Sequence, residues 1–469
     1  MNEQPEHSSP LRDDVRQIWQ AAVAAADSRS AVSHHPRIDS HSLQIAGQTL
    51  PLAGIDRVIV VGAGKAGAGM AAGLEDALRD SPLFEKLSGW VNVPDNCLRP
   101  LQKIHLHGGR PAGVNEPTEQ VLDGTDRILQ LVSSCTPRDL CVMLLSGGGS
   151  ALLCRPVPGI SLADKLTVTR LLSRSGAPIH ELNLVRTQLS LVKGGRLAAA
   201  CRAQLLATLA ISDVIGDPPQ VIGSGPTVPM ESRPAEALAI LRRRGLYEHL
   251  PPGVMKFFSE AVDRPPESVC VPLAWQAVAS NAVSLRAAAA CAERLGYDVV
   301  DIHSDLQGAA AEAGAAFYQH LQLRQQQNTG RRICLLAGGE TTVNVATAGT
   351  EPGLGGRNQE FVLAAAEAAE LAHRTQTGPA HNWALLSGGT DGEDGPTDAA
   401  GGILDDAVLA RIQKAGLDIA AYLRRHDSWT LLQAVGGLLR TGATHTNVMD
   451  IAVALAVPTK RHNPGIGSD

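Results

Sequence analysis

The sequence predicts an α/β protein of two domains, and three observations carry that expectation. Apolar strands run directly into glycine-rich turns: Arg57–Val61 into Gly62-Ala-Gly-Lys-Ala-Gly67, Leu144-Leu145 into Ser146-Gly-Gly-Gly-Ser150, Leu335-Leu-Ala into Gly338-Gly-Glu340, and Trp383–Leu386 into Ser387-Gly-Gly389. Alanine- and glycine-rich helices with few aromatics (3%) accompany them, a composition that lets helices pack closely on sheets. At 469 residues the chain exceeds what one core usually supports. Proline pairs at 251–252 and 265–266 break the pattern, so the expected domains are 13–260 and 265–460.

In chain order, residues 1 to about 12 are expected to fray, Asp13–Asp27 reads as a helix, and a polar linker follows. The strand at Arg57–Val61 and its turn match GxGxxG before a helix at 66–79. A dinucleotide reading also wants an acidic residue about twenty positions on, whereas Asp95 lies about thirty beyond Gly62. Lys65 would crowd a pyrophosphate there but suits a transferring phosphoryl group. No GxxxxGK[ST] motif occurs.

Trp90–Val93 is the next expected strand, and 105–119 reads as a loop in which His105 and His107 lack a third metal ligand. After the strand Val142–Leu145, the residues Ser146, Gly147, Gly148, Gly149 and Ser150 offer amides and hydroxyls suited to a phosphate or carboxylate. Asn183–Lys193 is expected to be a helix. It would put Asn183, Arg186, Ser190 and Lys193 within about an 80° arc beside an apolar stripe, an anion-facing surface free of acids. The strand Leu205–Ser212 delivers Asp213 to its carboxyl end, where ligands gather in open α/β sheets.

The second half alternates again: a strand at Ala274–Ser280, a helix to Leu295, a strand at Asp298–Ile302 and a polar insertion at Gln322–Arg332. Gly353-Leu-Gly-Gly-Arg357 opens a long alanine-rich helix, with Arg357 placed to grip an anion or to pair with Glu360. The loop after Trp383–Leu386 carries Asp391, Glu393, Asp394 and Asp398, a concentration of carboxylates that suits Mg²⁺. It is not an EF-hand, because the sixth position is Pro396 and the twelfth Gly402. The last strand ends at Ala456.

The charge of −6, from 41 basic and 47 acidic residues without a basic run, argues against nucleic acid or an anionic membrane as partner. Eight cysteines stand singly, with no CxxC pair, as small core residues of a reducing compartment do. With no apolar leader or 18-residue apolar run, a cytoplasmic location is expected. No sequence feature fixes the oligomeric state, and a homodimer is admitted.

Taken together these segments resemble the class II glycerate kinases, the glycerate 2-kinase family whose C-terminal half is the MOFRL domain. The resemblance rests on VGAGKA at 61–66, LSGGGSALL at 145–153, NLVRTQLSLVKGG at 183–195, SDVIGD and GSGPT within 212–227, AGGETTV at 337–343, GGRNQE at 355–360, SGGTDGEDGPTDAAGG at 387–402 and TGATHTNVMD at 441–450. The segment HGGRPAGVNEPT departs from the family's usual GHPVPD-like form.

The resemblance implies ATP- and Mg²⁺-dependent phosphorylation of (R)-glycerate to 2-phosphoglycerate by two α/β domains with largely parallel sheets, Rossmann-like and MOFRL-type, flanking a cleft. The family's lysine and arginine map onto Lys65 and Arg357. Phosphoryl transfer asks for positioning and positive charge. Lys65, Arg357 and Asp213 are therefore the expected catalytic residues. Gly64, Ser146, Gly147, Gly148, Gly149, Ser150, Asn183, Arg186, Lys193, Glu340 and Asn358 are the expected binding residues, with Asp391 and Asp394 on the metal. The rival reading is an NAD(P)H-dependent hydroxypyruvate reductase, from the Gly62/Gly64/Gly67 match.

Overall fold

Hydrogen bonding sorts the apolar runs into separate sheets in the computed structural model, which describes residues 9–111, 114, 116–261, 263, 265, 268–344, 353–375, 382–444 and 446–458. The chain forms two units, Asp27–Ser280 and Met1–Ala26 together with Asn281–Asp469. The expected frayed start lies mostly outside the described residues.

Unit Asp27–Ser280 begins with a short helix, Ser28–Ser33, and a three-stranded antiparallel sheet, β1 (Arg37–Ile38), β2 (Ser42–Ile45) and β3 (Gln48–Pro51), where the composition suggests only a polar linker. These strands are short, and their turn is built by Ala46 and Gly47, both at positive φ. Six strands follow: β4 (Arg57–Ala63), β5 (Leu87–Pro94), β6 (Ile104–Arg110), β7 (Asp139–Leu145), β8 (Leu205–Ile211) and β9 (Leu273–Ala279). Their order is β6-β5-β4-β7-β8-β9, every neighbouring pair parallel. This is the doubly wound arrangement. The order reverses between β4 and β7, whose carboxyl ends open the crevice in which such sheets bind ligands.

The central strands are buried on both faces, as parallel strands covered by helices must be. Ile59, Val61, Cys141, Met143 and Leu145 pack with Val121, Ile128 and Val132 of the helix Glu119–Ser133. A second cluster joins four helices, Leu162–Arg174, Ile179–Gln188, Pro234–Arg243 and Pro252–Glu260, through Val168, Val185, Leu241 and Val254.

The other unit carries β10 (Asp298–Leu306), β11 (Ile333–Gly339), β12 (Trp383–Gly389), β13 (Gly401–Asp405), β14 (Leu438–Leu439) and β15 (Asp450–Ala456), in order β10-β11-β15-β12-β13-β14. The α/β class holds. The expectation of largely parallel sheets fits the first sheet only, because here just the β10–β11 pair is parallel. The link from β12 to β13 holds no helix, and a parallel neighbour needs a crossover connection, usually helical.

Two boundaries also move from the expected 13–260 and 265–460. β9 pairs along β8, so the first sheet runs to Ala279. Pro252 starts a helix rather than a linker, and Pro266 lies outside the described residues. The helix Pro10–Ala25 packs with the second sheet, where Val15, Ile18 and Ala22 meet Leu386, Ile451 and Val453. Trp19 Nε1 donates to the Gly388 carbonyl at 3.2 Å, and a side chain at Gly388 would strike the indole. On the opposite face, the helices Ala310–Gln327 and Arg357–Arg374 cover Leu335, Leu385 and Ala454. Gln322–Gln327, expected to be an insertion, completes the first of these helices.

Among the described residues no helix is long and apolar enough to cross a membrane, and all eight cysteines are free.

Candidate functional site

The crevice between β4 and β7 is lined by the turns that leave these strands. Gly64 stands at φ +147°, and a Cβ there would collide with Ser146 Oγ. Ser146 Oγ instead accepts from the Ala66 amide at 3.1 Å, and the Lys65 amide donates to the Gly147 carbonyl at 2.9 Å. Two glycine turns thereby lock together. Gly62 makes room for Leu144, and Gly67 for Val91 and Val93. All three glycines of the GxGxxG match are thus spent on protein packing, whereas a dinucleotide fingerprint needs its second glycine for approach to a pyrophosphate.

Gly148, at φ +75°, has Lys65 Cγ at 3.3 Å and Arg110 Nη2 at 3.4 Å from where a Cβ would stand. Asp213 Oδ2 faces the preceding residue, 2.6 Å from the corresponding position on Gly147. Among the described residues no hydrogen bond engages the Gly147 or Gly148 amide. Burial pushes the Asp213 carboxyl above its ordinary range, while Lys65 pulls the other way.

Lys193 is fully buried, and its Nζ donates to Ser150 Oγ at 2.8 Å, Ser224 Oγ at 3.1 Å and the Gly223 carbonyl at 3.2 Å. Its pKa is held well below the usual lysine value by burial and by the nearby Arg186 and Lys165. Lys165 is 3% exposed, and its Nζ has no hydrogen-bond partner. Burial depresses Lys165, Arg186 and Arg110 alike. Among the described residues no carboxylate pairs with Lys65, Arg110, Lys165, Arg186 or Lys193. Buried cations without a counter-charge are costly, and Arg110, Lys165 and Lys193 are buried beside the exposed Lys65, so the collection suits an anionic ligand.

The expected helix Asn183–Lys193 is corrected: the helix is Ile179–Gln188. Leu182, Val185 and Leu189 pack in the four-helix cluster, whereas Val192 joins the core under the sheet. One straight helix cannot serve both. The chain turns at Ser190, whose Oγ accepts from the Val192 and Lys193 amides, and Lys193 swings inward. Asn183 lines a neighbouring cavity that shares Ser224 with the lysine cage.

In the other unit, Arg357 opens its helix and donates through Nε to Asp450 Oδ2 at 2.6 Å and through Nη2 to Asp450 Oδ1 at 2.9 Å. Its Nη1 reaches Glu340 Oε1 at 2.8 Å. Burial works against the cation, but Asp450 and Glu340 push its pKa up. Glu360, the expected alternative partner, bonds His426 Nδ1 at 2.8 Å instead. Glu340, Thr341, Arg357, Glu360 and His426 border one pocket.

The acidic loop does not gather into a single cluster. Asp394 Oδ1 accepts from the Asn358 amide at 3.0 Å and Oδ2 from the Gln359 amide at 2.9 Å, so this carboxylate caps the helix. Burial pushes it up to about 6, with those amides opposing. Asn358 accepts in turn from Ser387 Oγ at 2.6 Å. Asp398 is held low by Arg440 and Trp429 on the surface. Asp391, raised by burial, keeps one oxygen near Asp450: these atoms lie 3.0 and 3.6 Å from where a Gly389 Cβ would be.

The closest groupings of metal-binding side chains among the described residues lie elsewhere, at Cys135–Cys141–Cys201 and at Asp301–His303–His320. The three cysteines, single in sequence, meet in the core. His105 and His107 stand on β6 rather than in a loop, with Trp90 against both rings at 4.2 and 5.1 Å.

Sequence reading missed Arg110, Lys165 and Asp450. Arg110 ends a strand that reads as loop, and Lys165 sits in an ordinary amphipathic helix. Asp450 is the last residue of a quoted motif, but nothing along the chain couples it to Arg357. His445 of that motif, with Ala112, Gly113 and Asn115 of the HGGRPAGVNEPT segment, lies outside the described residues.

Residues 14–259 match the model described as Domain of unknown function (DUF4147), and residues 333–450 match the MOFRL family. A glycerate kinase from Homo sapiens is 36% identical, over 94% of this chain and 92% of that protein. A glycerate 2-kinase from Pyrococcus horikoshii is 34% identical, over 96% and 98%. A protein named putative hydroxypyruvate reductase, from Agrobacterium vitis, is 38% identical over 95% and 94%. The crystal structure of the glycerate kinase from Thermotoga maritima superposes with a TM-score of 0.80 at 32% identity, covering 95% of this chain and 99% of that one.

Proposed function

The chain belongs to the family that the DUF4147 and MOFRL domains define, and from that membership we propose that it is a glycerate kinase, transferring the γ-phosphoryl group of ATP to the 2-hydroxyl of (R)-glycerate. The observation that carries this reading is the set of cations without carboxylate partners around the β4–β7 crevice. Phosphoryl transfer demands that charge around the equatorial oxygens and little covalent work.

In this reading Lys65 neutralises the transferring phosphoryl oxygens. Arg186, with Ser150 and the Gly147–Gly149 turn, holds anionic oxygens, Lys193 supports Ser150 from beneath with its three donors committed to protein, and Asn183 orients the bound group. Asp213, half-buried and in reach of the same turn, accepts the hydroxyl proton. Arg357 commits three of its five N–H donors to Asp450 and Glu340, which leaves two for a ligand anion.

Mg²⁺ takes one or two carboxylates together with substrate oxygens. Asp391 fits that requirement, because burial and the neighbouring Glu393 and Asp450 leave its charge poorly compensated. Asp394 fits less well, since its oxygens already serve helix amides. A bound ion would supply charge neutralisation on the phosphates.

The test is a coupled ADP-release assay with (R)- and (S)-glycerate, with and without a chelator, followed by determination of the phosphate position in the product. ADP release and 2-phosphoglycerate with the (R) acid alone are expected. The reductase reading has a relative's name behind it, and loss of NADH absorbance with hydroxypyruvate, without ADP release, would replace the kinase.

The pH profile offers a further check. A base must be deprotonated, so activity is lost as pH falls through its pKa, and burial puts Asp213 above the ordinary carboxylate range of about 4. The acid limb of kcat/KM should lie correspondingly high. Asp213→Asn should remove that limb and at least about 100-fold of the rate.

A further inference from the structure

Arg110 has no role in this scheme, yet it is a guanidinium with almost no exposed surface beside the crevice. It ends β6 at 2% exposure, and its Nε has no hydrogen-bond partner. Among the described residues no carboxylate pairs with it. Its Nη2 stands 3.4 Å from the position a Gly148 side chain would take, on a turn whose φ of +75° and missing Cβ keep that space open. The same position has Lys65 Cγ at 3.3 Å, and Asp213 Oδ2 faces the adjacent Gly147.

We propose that Arg110 is a substrate ligand that takes the carboxylate of the acceptor, while Lys65 across Gly148 takes the transferring phosphoryl group. This rests on the kinase reading. The division follows from the two side chains. A guanidinium held in place by burial presents a planar fork that matches a carboxylate through two parallel hydrogen bonds. An exposed lysine is a mobile point charge, suited to a group that changes position during reaction.

A 2-hydroxy acid carries its carboxylate and its reacting hydroxyl on neighbouring carbons. Gly147 and Gly148 are likewise neighbours, about 3.8 Å apart along the chain. The proton acceptor Asp213 comes against the first of them and the guanidinium against the second, so both groups border one turn. Arg110 also falls in HGGRPAGVNEPT, the segment in which this chain departs from the family's usual form.

The experiment measures KM for glycerate and for ATP separately, in the full-length protein and in Arg110→Gln and Arg110→Lys. Truncating one member of a buried charged pair typically costs enough for a 30-fold or larger loss of affinity, so KM for glycerate should rise by about 30-fold or more in Arg110→Gln. KM for ATP should stay within about twofold by the same division of labour. Arg110→Lys should lie between, because it keeps the charge and loses the fork. If the glutamine variant does not fold, the lysine variant carries the test through the same split. Both KM values rising together, or kcat falling alone, overturns the assignment. Wild-type protein that releases no ADP with glycerate overturns the kinase reading itself, which separates the two failures.

Discussion

Lys65→Ala is expected to lower kcat with ATP and glycerate by about 10³-fold, roughly 4 kcal/mol of transition-state stabilisation. The same protein should melt within a degree or two of wild type. The asymmetry follows from how the residue is held. Its backbone amide closes the turn onto the Gly147 carbonyl, and alanine keeps that bond. Its side chain is exposed and touches no carboxylate, so removing it leaves no orphaned partner. Lys65→Arg should recover only part of the rate, because a planar fork replaces a compact charge. Wild-type kcat in Lys65→Ala, measured by coupled ADP release, would remove Lys65 from the chemistry.

Arg357→Ala should behave in the opposite way and lose both activity and stability. Asp450 is 1% exposed and receives both of its hydrogen bonds to charged groups from Arg357. Breaking a buried pair on one side costs about 3 kcal/mol, which for a unit of this size corresponds to a melting temperature lower by roughly 6–12 °C. The half-exposed Glu340 adds little to that figure. Replacing the pair by Arg357→Met with Asp450→Leu should restore most of the melting temperature, because apolar groups of similar volume need no counter-charge. It should restore none of the activity. If the double variant regained both, the pair would be scaffolding alone.

Position along the chain was largely legible. Strands at 57–63, 139–145, 205–211, 333–339, 383–389 and 450–456 all lie where apolar runs meet glycine or acid, and the lysine, serine and aspartate after the first three line one crevice. Helix ends were less so: the apolar stripe through Val192 continues the helical period, yet the backbone turns at Ser190 to deliver Val192 to a different core. The compact units divide at Ser280 rather than near 260 for a related reason. Prolines mark where local structure stops, whereas β9 and the Trp19 helix are assigned by what they pair with.

The sequence by itself determined the α/β class, the strand-to-turn junctions and the cationic character of the first crevice. These follow from short-range causes: an apolar run must be buried, and a glycine-rich turn must follow where two turns interlock. Only the tertiary structure decided the direction of the second sheet, the pairing of Arg357 with Asp450 rather than Glu360, and the isolation of Arg110 and Lys165 from any acid. Whether a charge is compensated depends on distances through space, and residues 93 positions apart along the chain carry no mark of being 2.6 Å apart when folded.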